Sequence, residues 1–519
     1  MKFRLLTHFS MAALSLVAVN ALASETQVAG IYYDFDLATA TAVVTYKGKC
    51  QCSGDTYQGV VNIPSSVAYE GQQYAVVAIG DYAFSNTRKL NKVAVPASIK
   101  SIGNGAFVGS AIEEVEFAPN SELTTIAAHA FLACKSLKTV QIPQKVETIG
   151  AYAFELCDNL SQVTFLEPSS LTTIEEYVFC RTSIASMNLP QGVKSIGSVS
   201  YAQNPNMTAV FIPQSVTSIS ELNPFCYNTQ LTQMVVEDGN KVYDSRNNCN
   251  GIIETKTNTL VAGCKATLIP ASVTAIGRSS FNHCTELTEA VLPATLRSIG
   301  KYAYLGCTGL RSFYFPSTMT VMADSVFWQA TNLDSIVTMA QRPFVIDESD
   351  FEPSVYDNAT LYVPAGTASL YRSAPAWCLF RNIVEMDRFV VDGISYQLTA
   401  DGQAQVVKAS EGVPYSGTLI IPKQVQSGTQ TYTVSGVSDS VSDGSEPFRI
   451  IRRDAMAPIA NINIYGTHGQ IKIEGSDAEA RVYDAAGLMI ISTTKRSIRV
   501  KQGIYVVECG GTTAKVAVD

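Results

Sequence analysis

Histidine is scarce in this chain, with four among 519 residues, and His129, His283 and His468 are those beyond residue 23. None stands at a metal-ligand spacing from a second ligand. His283-Cys284 sends adjacent side chains in divergent directions, and Cys50-Gln51-Cys52 lacks the two-residue gap of a zinc knuckle. Asn248, Asn250 and Gly251 suggest a calcium loop, but that alignment puts Arg246 and Thr257 at its first and last ligands. No metal is therefore expected. Also missing are a Gly-x-Ser-x-Gly elbow, a phosphate- or dinucleotide-binding glycine loop and a helical zinc-protease motif. The carboxylates are scattered, and a glycosidase pair is defined by distance in space. No catalytic residue and no cofactor is assigned.

An excess of positive charge is missing too. Lysine and arginine number 37 against 45 aspartates and glutamates. Residues 1–23 hold Lys2 and Arg4 and no acid, so without them the balance is 35 bases to 45 acids, a net −10. Such a chain is a poor partner for nucleic acid or anionic lipid. Beyond the N-terminus, no apolar stretch approaches the roughly 18–20 residues that cross a bilayer as a helix, so no transmembrane segment is expected.

What is present begins with Lys2 and Arg4, an apolar stretch from Met11 to Val19, and Ala21-Leu22-Ala23. These are the ordered regions of a secretory signal. Residues 1–23 are expected to be removed and the chain exported, without a lipoprotein anchor because no cysteine follows the cut. Twelve cysteines raise the idea of a disulfide framework, but that inference belongs to short, core-poor domains. Here the hydrophobic fraction of 46% promises an ample core. Cys134, Cys157, Cys284 and Cys307 each follow a recurring aromatic by three residues, and Cys180 and Cys226 follow it by one. Recurrence at equivalent positions suits small buried hydrophobes. Cys249 and Cys264 are the one pair held open for a disulfide.

The recurring aromatics are Phe84, Phe107, Phe131, Phe154, Phe179, Tyr201, Phe225, Phe281, Tyr304 and Phe327, at separations of 23, 24, 23, 25, 22, 24, 56, 23 and 23. A period near 23 lies within the leucine-rich-repeat range. In each coil an alternating first strand, as in Thr139-Val140-Gln141-Ile142, precedes a proline. A second short strand, as in Val146 to Gly150, ends in a glycine expected to allow positive φ. One coil cannot bury its apolar side alone, so the coils must stack. The fold class is mainly β: a leucine-rich-repeat solenoid of about ten coils of ~23 residues, with β caps and a small C-terminal β-sandwich. The long step holds an insert near 236–264, read as a hairpin projecting from the stack.

Residues 57–64, Tyr-Gln-Gly-Val-Val-Asn-Ile-Pro, match residues 415–422, Tyr-Ser-Gly-Thr-Leu-Ile-Ile-Pro. The first copy leads into the repeats, whereas the second is read as a cap without an array. The expected organisation is a signal peptide at 1–23, an N-terminal β cap at 24–80, the solenoid at 81–340 and a closing segment at 341–386. A second cap-like segment at 387–445, a linker at 446–459 and a β-sandwich at 460–519 complete it.

Ile142-Pro143, Val146 to Gly150, Ala153-Phe154 and Cys157 to Leu160 carry phrasing that resembles the BspA-like leucine-rich-repeat family over about residues 30–385. The insert at 248–255 is similar to that family's, as is Ala359 to Pro364 followed by Trp377, Phe380, Asn382 and Ile383. The resemblance implies an exported bacterial protein, and some family members are associated with adhesion to host matrix proteins or other bacteria. In the tail, Val482-Tyr483-Asp484 with Gly487, and Gly503 to Val507, resemble a type IX secretion sorting domain, although Val518-Asp519 lacks the basic ending of that pattern.

The outward positions of the first strands change character along the chain. Lys92 and Ala94, Glu114 and Glu116, Thr139 and Gln141, Gln162 and Thr164, and Ser186 and Asn188 give way to coils carrying Phe211, Val235, Val291, Tyr314 and Val337. These five are expected to form an apolar binding stripe, unless the insert or the closing segment covers them. The expected partner is an extracellular protein, such as a host matrix protein, or a glycan, bound noncovalently at the outer surface. The competing expectation is a structural spacer that needs no ligand.

Overall fold

The computed structural model describes residues 26–47 and 56–409 without interruption, and beyond them the strands and short connections lying within 415–518. The expected signal peptide, Cys50, Cys52 and His468 lie outside the described residues. The chain divides into two compact units, Met1–Val390 and Val391–Asp519.

The first unit is a solenoid. Its second strands are residue pairs such as Ser101–Ile102, Thr125–Ile126, Thr148–Ile149, Thr173–Ile174, Ser195–Ile196 and Ser218–Ile219, joined in parallel register within an eleven-stranded sheet. The isoleucines of the first five pairs point inward and are buried. Three N-terminal strands, Thr26–Val28, Ile31–Asp36 and Thr41–Thr45, close that sheet's first edge through Gln72–Ile79.

The aromatic anchors stack along the axis. Phe107, Phe131 and Phe154 succeed one another at ring separations of 4.8 and 5.0 Å, with interplanar angles of 5° and 2°, a favourable offset geometry. A second series runs Phe281, Tyr304, Phe327 and Phe351. Phe351, 24 residues after Phe327, is a further anchor within the segment expected only to close the solenoid.

Three residues after the anchor, the buried cysteines do more than fill space. The thiols of Cys134, Cys157 and Cys307 donate to the carbonyls of Phe107, Phe131 and Phe281 at 3.0, 3.1 and 3.0 Å. At the same position Asn204 and Asn228 donate to Phe179 and Tyr201 at 3.1 and 2.9 Å. The Phe107, Phe131 and Phe281 carbonyls also accept from the main-chain nitrogens of Ser110, Cys134 and Cys284, so the thiol supplies the second bond to a carbonyl that stacking removes from water.

The glycine that ends the second strand has a different reason from the one expected. Positive φ falls two residues before and two after the anchor, on His129 and Ala133 (58° and 59°) and on Tyr152 and Leu156 (61° and 62°), and Gly150 is not among the positive-φ residues. Gly150 is needed for close approach: a Cβ there would lie 2.5 Å from the Ala128 nitrogen of the preceding coil.

The insert does not project. Tyr243–Asp244, Gly251–Glu254 and Thr259–Gly263 form an antiparallel meander whose last strand pairs in parallel with Ala275–Ile276. Ile252, Ile253, Leu260 and Ala262 are fully buried, so the insert is built into the stack, and apolar alternation explains why. Cys249 and Cys264 are free thiols that donate to the carbonyls of Gly251 and Asn250 at 3.4 and 3.5 Å. The disulfide considered for them is not formed in this structure.

In the second unit, the sheet order Ile394–Leu398, Ala404–Val406, Gln430–Val437, Gln424–Ser427 repeats the pairings of the N-terminal cap. A tyrosine clamp is repeated as well. Tyr57 Oη accepts from Tyr32 N (3.1 Å) and donates to Thr45 O (2.7 Å), while Tyr415 Oη accepts from Ser395 N (2.8 Å) and donates to Val407 O (3.0 Å). The linker expected at 446–459 is corrected by Arg449–Arg453, a strand parallel to Thr418–Pro422. That pairing matches Gln58–Asn62 with the first coil's Lys89–Val95, so the second cap carries the start of an array. Beyond it, a three-stranded and a four-stranded sheet share one buried cluster that includes Ile471, Val482, Ile498 and Val507.

Candidate binding face

The first strands are not one continuous sheet. Gln58–Asn62, Lys89–Val95 and Glu114–Phe117 form one group, Thr139–Ile142 and Gln162–Phe165 a second, and Ser186–Asn188, Ala209–Ile212 and Gln233–Val236 a third. The last group is Ser312–Phe315, Ser335–Thr338, Thr360–Val363 and Asn382–Glu385.

The early coils present charge that is already paired between coils. Lys92 Nζ lies 2.7 Å from Glu116 and 2.9 Å from Glu114, and Lys138 lies 3.1 Å from Glu113. Glu116, then Glu114, hold the Lys92 ammonium above its ordinary range. Exposed pairs of this kind contribute little stability, and they leave the early face without a strong field of one sign.

The five expected stripe residues divide into three places. Phe211 and Val235 are register neighbours, with Phe211 39% exposed. Tyr314 and Val337 are register neighbours in the last group, both half-buried. Val291 is 70% exposed but belongs to no strand, so it joins neither pair. The single stripe is therefore corrected to two patches separated by the insert and the coil after it.

The second patch is longer than expected. Val337 pairs with Tyr362, and Tyr362 with Val384, in the same parallel register. The closing segment thus adds strands to the face rather than covering it. Tyr362 and Val384 were missed although Thr360-Leu361-Tyr362-Val363 alternates like Ser335 to Thr338. Beside this apolar rank runs a polar one, Ser312, Ser335, Thr360 and Asn382, in which Asn382 donates to Thr360 Oγ1 at 2.7 Å.

Three titratable groups elsewhere have defined packing partners. His129 stacks on Tyr152 at 5.1 Å and His283 on Tyr227 at 3.9 Å, and burial lowers both imidazoles' pKa. Asp350 is buried, accepting from Val326 N at 3.1 Å and Asp347 N at 2.8 Å. Burial outweighs those bonds and pushes its carboxyl up to about 7. Among the described residues, no group of three or more histidines, cysteines or acids gathers to hold a metal ion, and no helix is long and apolar enough to cross a membrane.

The model of the BspA type leucine rich repeat region matches this chain in 6 copies, over residues 72–167, 124–251 and 261–374, together more than half its length. No curated protein matches. Among solved structures, the pneumococcal vaccine antigen PcpA is 17% identical and covers 70% of this chain and 98% of its own, at a TM-score of 0.48. A leucine rich cell surface protein from Faecalibacterium prausnitzii is 22% identical, covering 69% and 94%, at 0.47. A leucine-rich repeat protein from Bacteroides capillosus is 30% identical, covering 28% of this chain and 99% of its own, at 0.23.

Proposed function

The chain belongs to the BspA-type leucine-rich-repeat family, and from that premise we propose that it is an exported surface protein that binds an extracellular protein or glycan noncovalently. The observation that carries this reading is the outward rank Tyr314, Val337, Tyr362 and Val384, held on four register-paired strands. Apolar and aromatic side chains aligned on a rigid sheet, with a polar rank alongside, have the make-up of a contact surface. The Phe211 and Val235 pair supplies a second patch on the same type of strand. Residues 1–23 direct export in this reading, and the tail from 460 delivers the solenoid to the outer surface as a sorting domain.

A binding screen of the chain lacking residues 1–23, against matrix proteins and glycans, tests the function. Saturable binding to a member of either class supports it, and none to any of them favours a spacer. Surface delivery is tested by deleting 460–519: an undiminished amount of protein on intact cells overturns that role of the tail.

A further inference from the structure

The break between Gln162–Phe165 and Ser186–Asn188 differs from the other breaks in the first-strand face. Most coils, including those that begin at Val95, Ile142, Ile212 and Phe315, take seven residues to pass from the end of the first strand to the isoleucine or methionine of the second. Two coils take nine, Phe117 to Ile126 and Phe165 to Ile174, and the sheet breaks after each. At the first break Phe117 is half-buried while the inward valines Val115 and Val140 remain buried. At the second, Val163 and Phe165 are only half-buried, although they match Val140 and Ile142 in register. The two coils are tied at their start, where Ser183 N donates to Leu160 O at 2.9 Å. Beyond that tie, a cavity of about 110 Å³ opens, lined by Val163, Phe165, Ile184, Ala185, Met187 and Tyr201 among others.

We propose that this cleft binds an extended peptide segment of a partner protein. Three features select that chemistry. Gln162–Phe165 and Ser186–Asn188 are both edge strands toward the cleft, and edge strands offer rows of main-chain donors and acceptors to an added chain. The cavity is well below the ~300 Å³ of the smallest usual ligand pockets. It suits one apolar side chain while the rest of the ligand lies along a lip. The lip residues Gln162, Ser186 and Asn188 are uncharged, so the peptide needs no particular charge. Asn188 is also the register neighbour of Phe211, which makes the cleft continuous with the first apolar patch.

This inference rests on the binding reading above and deepens it. The test is selection of phage-displayed random dodecapeptides on the full chain, followed by affinity measurement with the enriched synthetic peptides. Ala185→Trp and Ser161→Trp fill the cleft from exposed positions and should each weaken binding by about tenfold or more at an unchanged melting temperature. Methylating alternate peptide nitrogens should weaken it likewise, by removing main-chain donors. Leu37→Glu, at an exposed site of the N-terminal cap, should leave peptide affinity unchanged. Failure to enrich any peptide, or binding by both tryptophan variants equal to that of the natural chain, overturns the proposal. The wider reading fails separately: peptide capture can persist when matrix or glycan binding is absent, and the reverse.

Discussion

The thiol of Cys134 donates to the main-chain carbonyl of Phe107, 3.0 Å away in the preceding coil. Ser110, Thr182 and Asn204 occupy the same place after their own anchors, and only the coil of Phe327, with Ala330 there, lacks a donor among the ten anchors read from the sequence. Cys134→Ser keeps a donor, whereas Cys134→Ala removes one of the carbonyl's two bonds, the other coming from Ser110 N at 2.9 Å, a loss of about 1 kcal/mol. Urea unfolding of both variants measures the difference. Equal destabilisation by serine and alanine would reduce the cysteine to a space-filler.

Tyr304 makes the opposite point. Its ring stacks between Phe281 and Phe327 at 5.0 and 5.4 Å, but its buried hydroxyl has no hydrogen-bond partner. Tyr304→Phe keeps the stack and removes a desolvated polar group, so it should stabilise the chain by about 1 kcal/mol. A lower melting temperature in this variant would mean that the hydroxyl has a partner.

The pH dependence of stability carries the signature of Asp350. Its folded-state carboxyl is raised to about 7, above the ordinary value, so the folded chain holds this proton more tightly than the unfolded chain. The resulting stabilisation is present below the unfolded pKa of ~3.9 and is lost as pH rises towards the folded value near 7. The melting temperature of the natural chain, relative to Asp350→Asn, should therefore fall between pH 5 and pH 8. A difference that stays constant or grows over that range would contradict the buried, protonated carboxyl.

The solenoid was legible because its evidence is periodic: anchors near every 23 residues and alternating strands repeat the same packing problem. What sequence reading missed depends on contacts between coils. Gly150 was assigned to turn geometry because glycine is usually read that way, but its constraint is the Ala128 backbone beneath it. The insert was read as projecting because its turns were plain, whereas Ile252 and Leu260 bind it into the core. Position counting places Val291 on the ladder and leaves Tyr362 and Val384 off it, because strand register is set by the stacking of coils. The cleft had a written signal, the two extra residues between Phe165 and Ile174, whose effect appears only when the next coil is stacked on it.

The most direct test of the account compares partner binding by the natural chain with that of Phe211→Glu and Val384→Glu, both at sites 39% exposed, alongside melting temperature. The account predicts binding weakened by about tenfold or more in at least one variant, with stability within ~0.5 kcal/mol of the natural chain in both. Full binding in both variants would contradict recognition through this face, and a large loss of stability would show that these side chains serve the core.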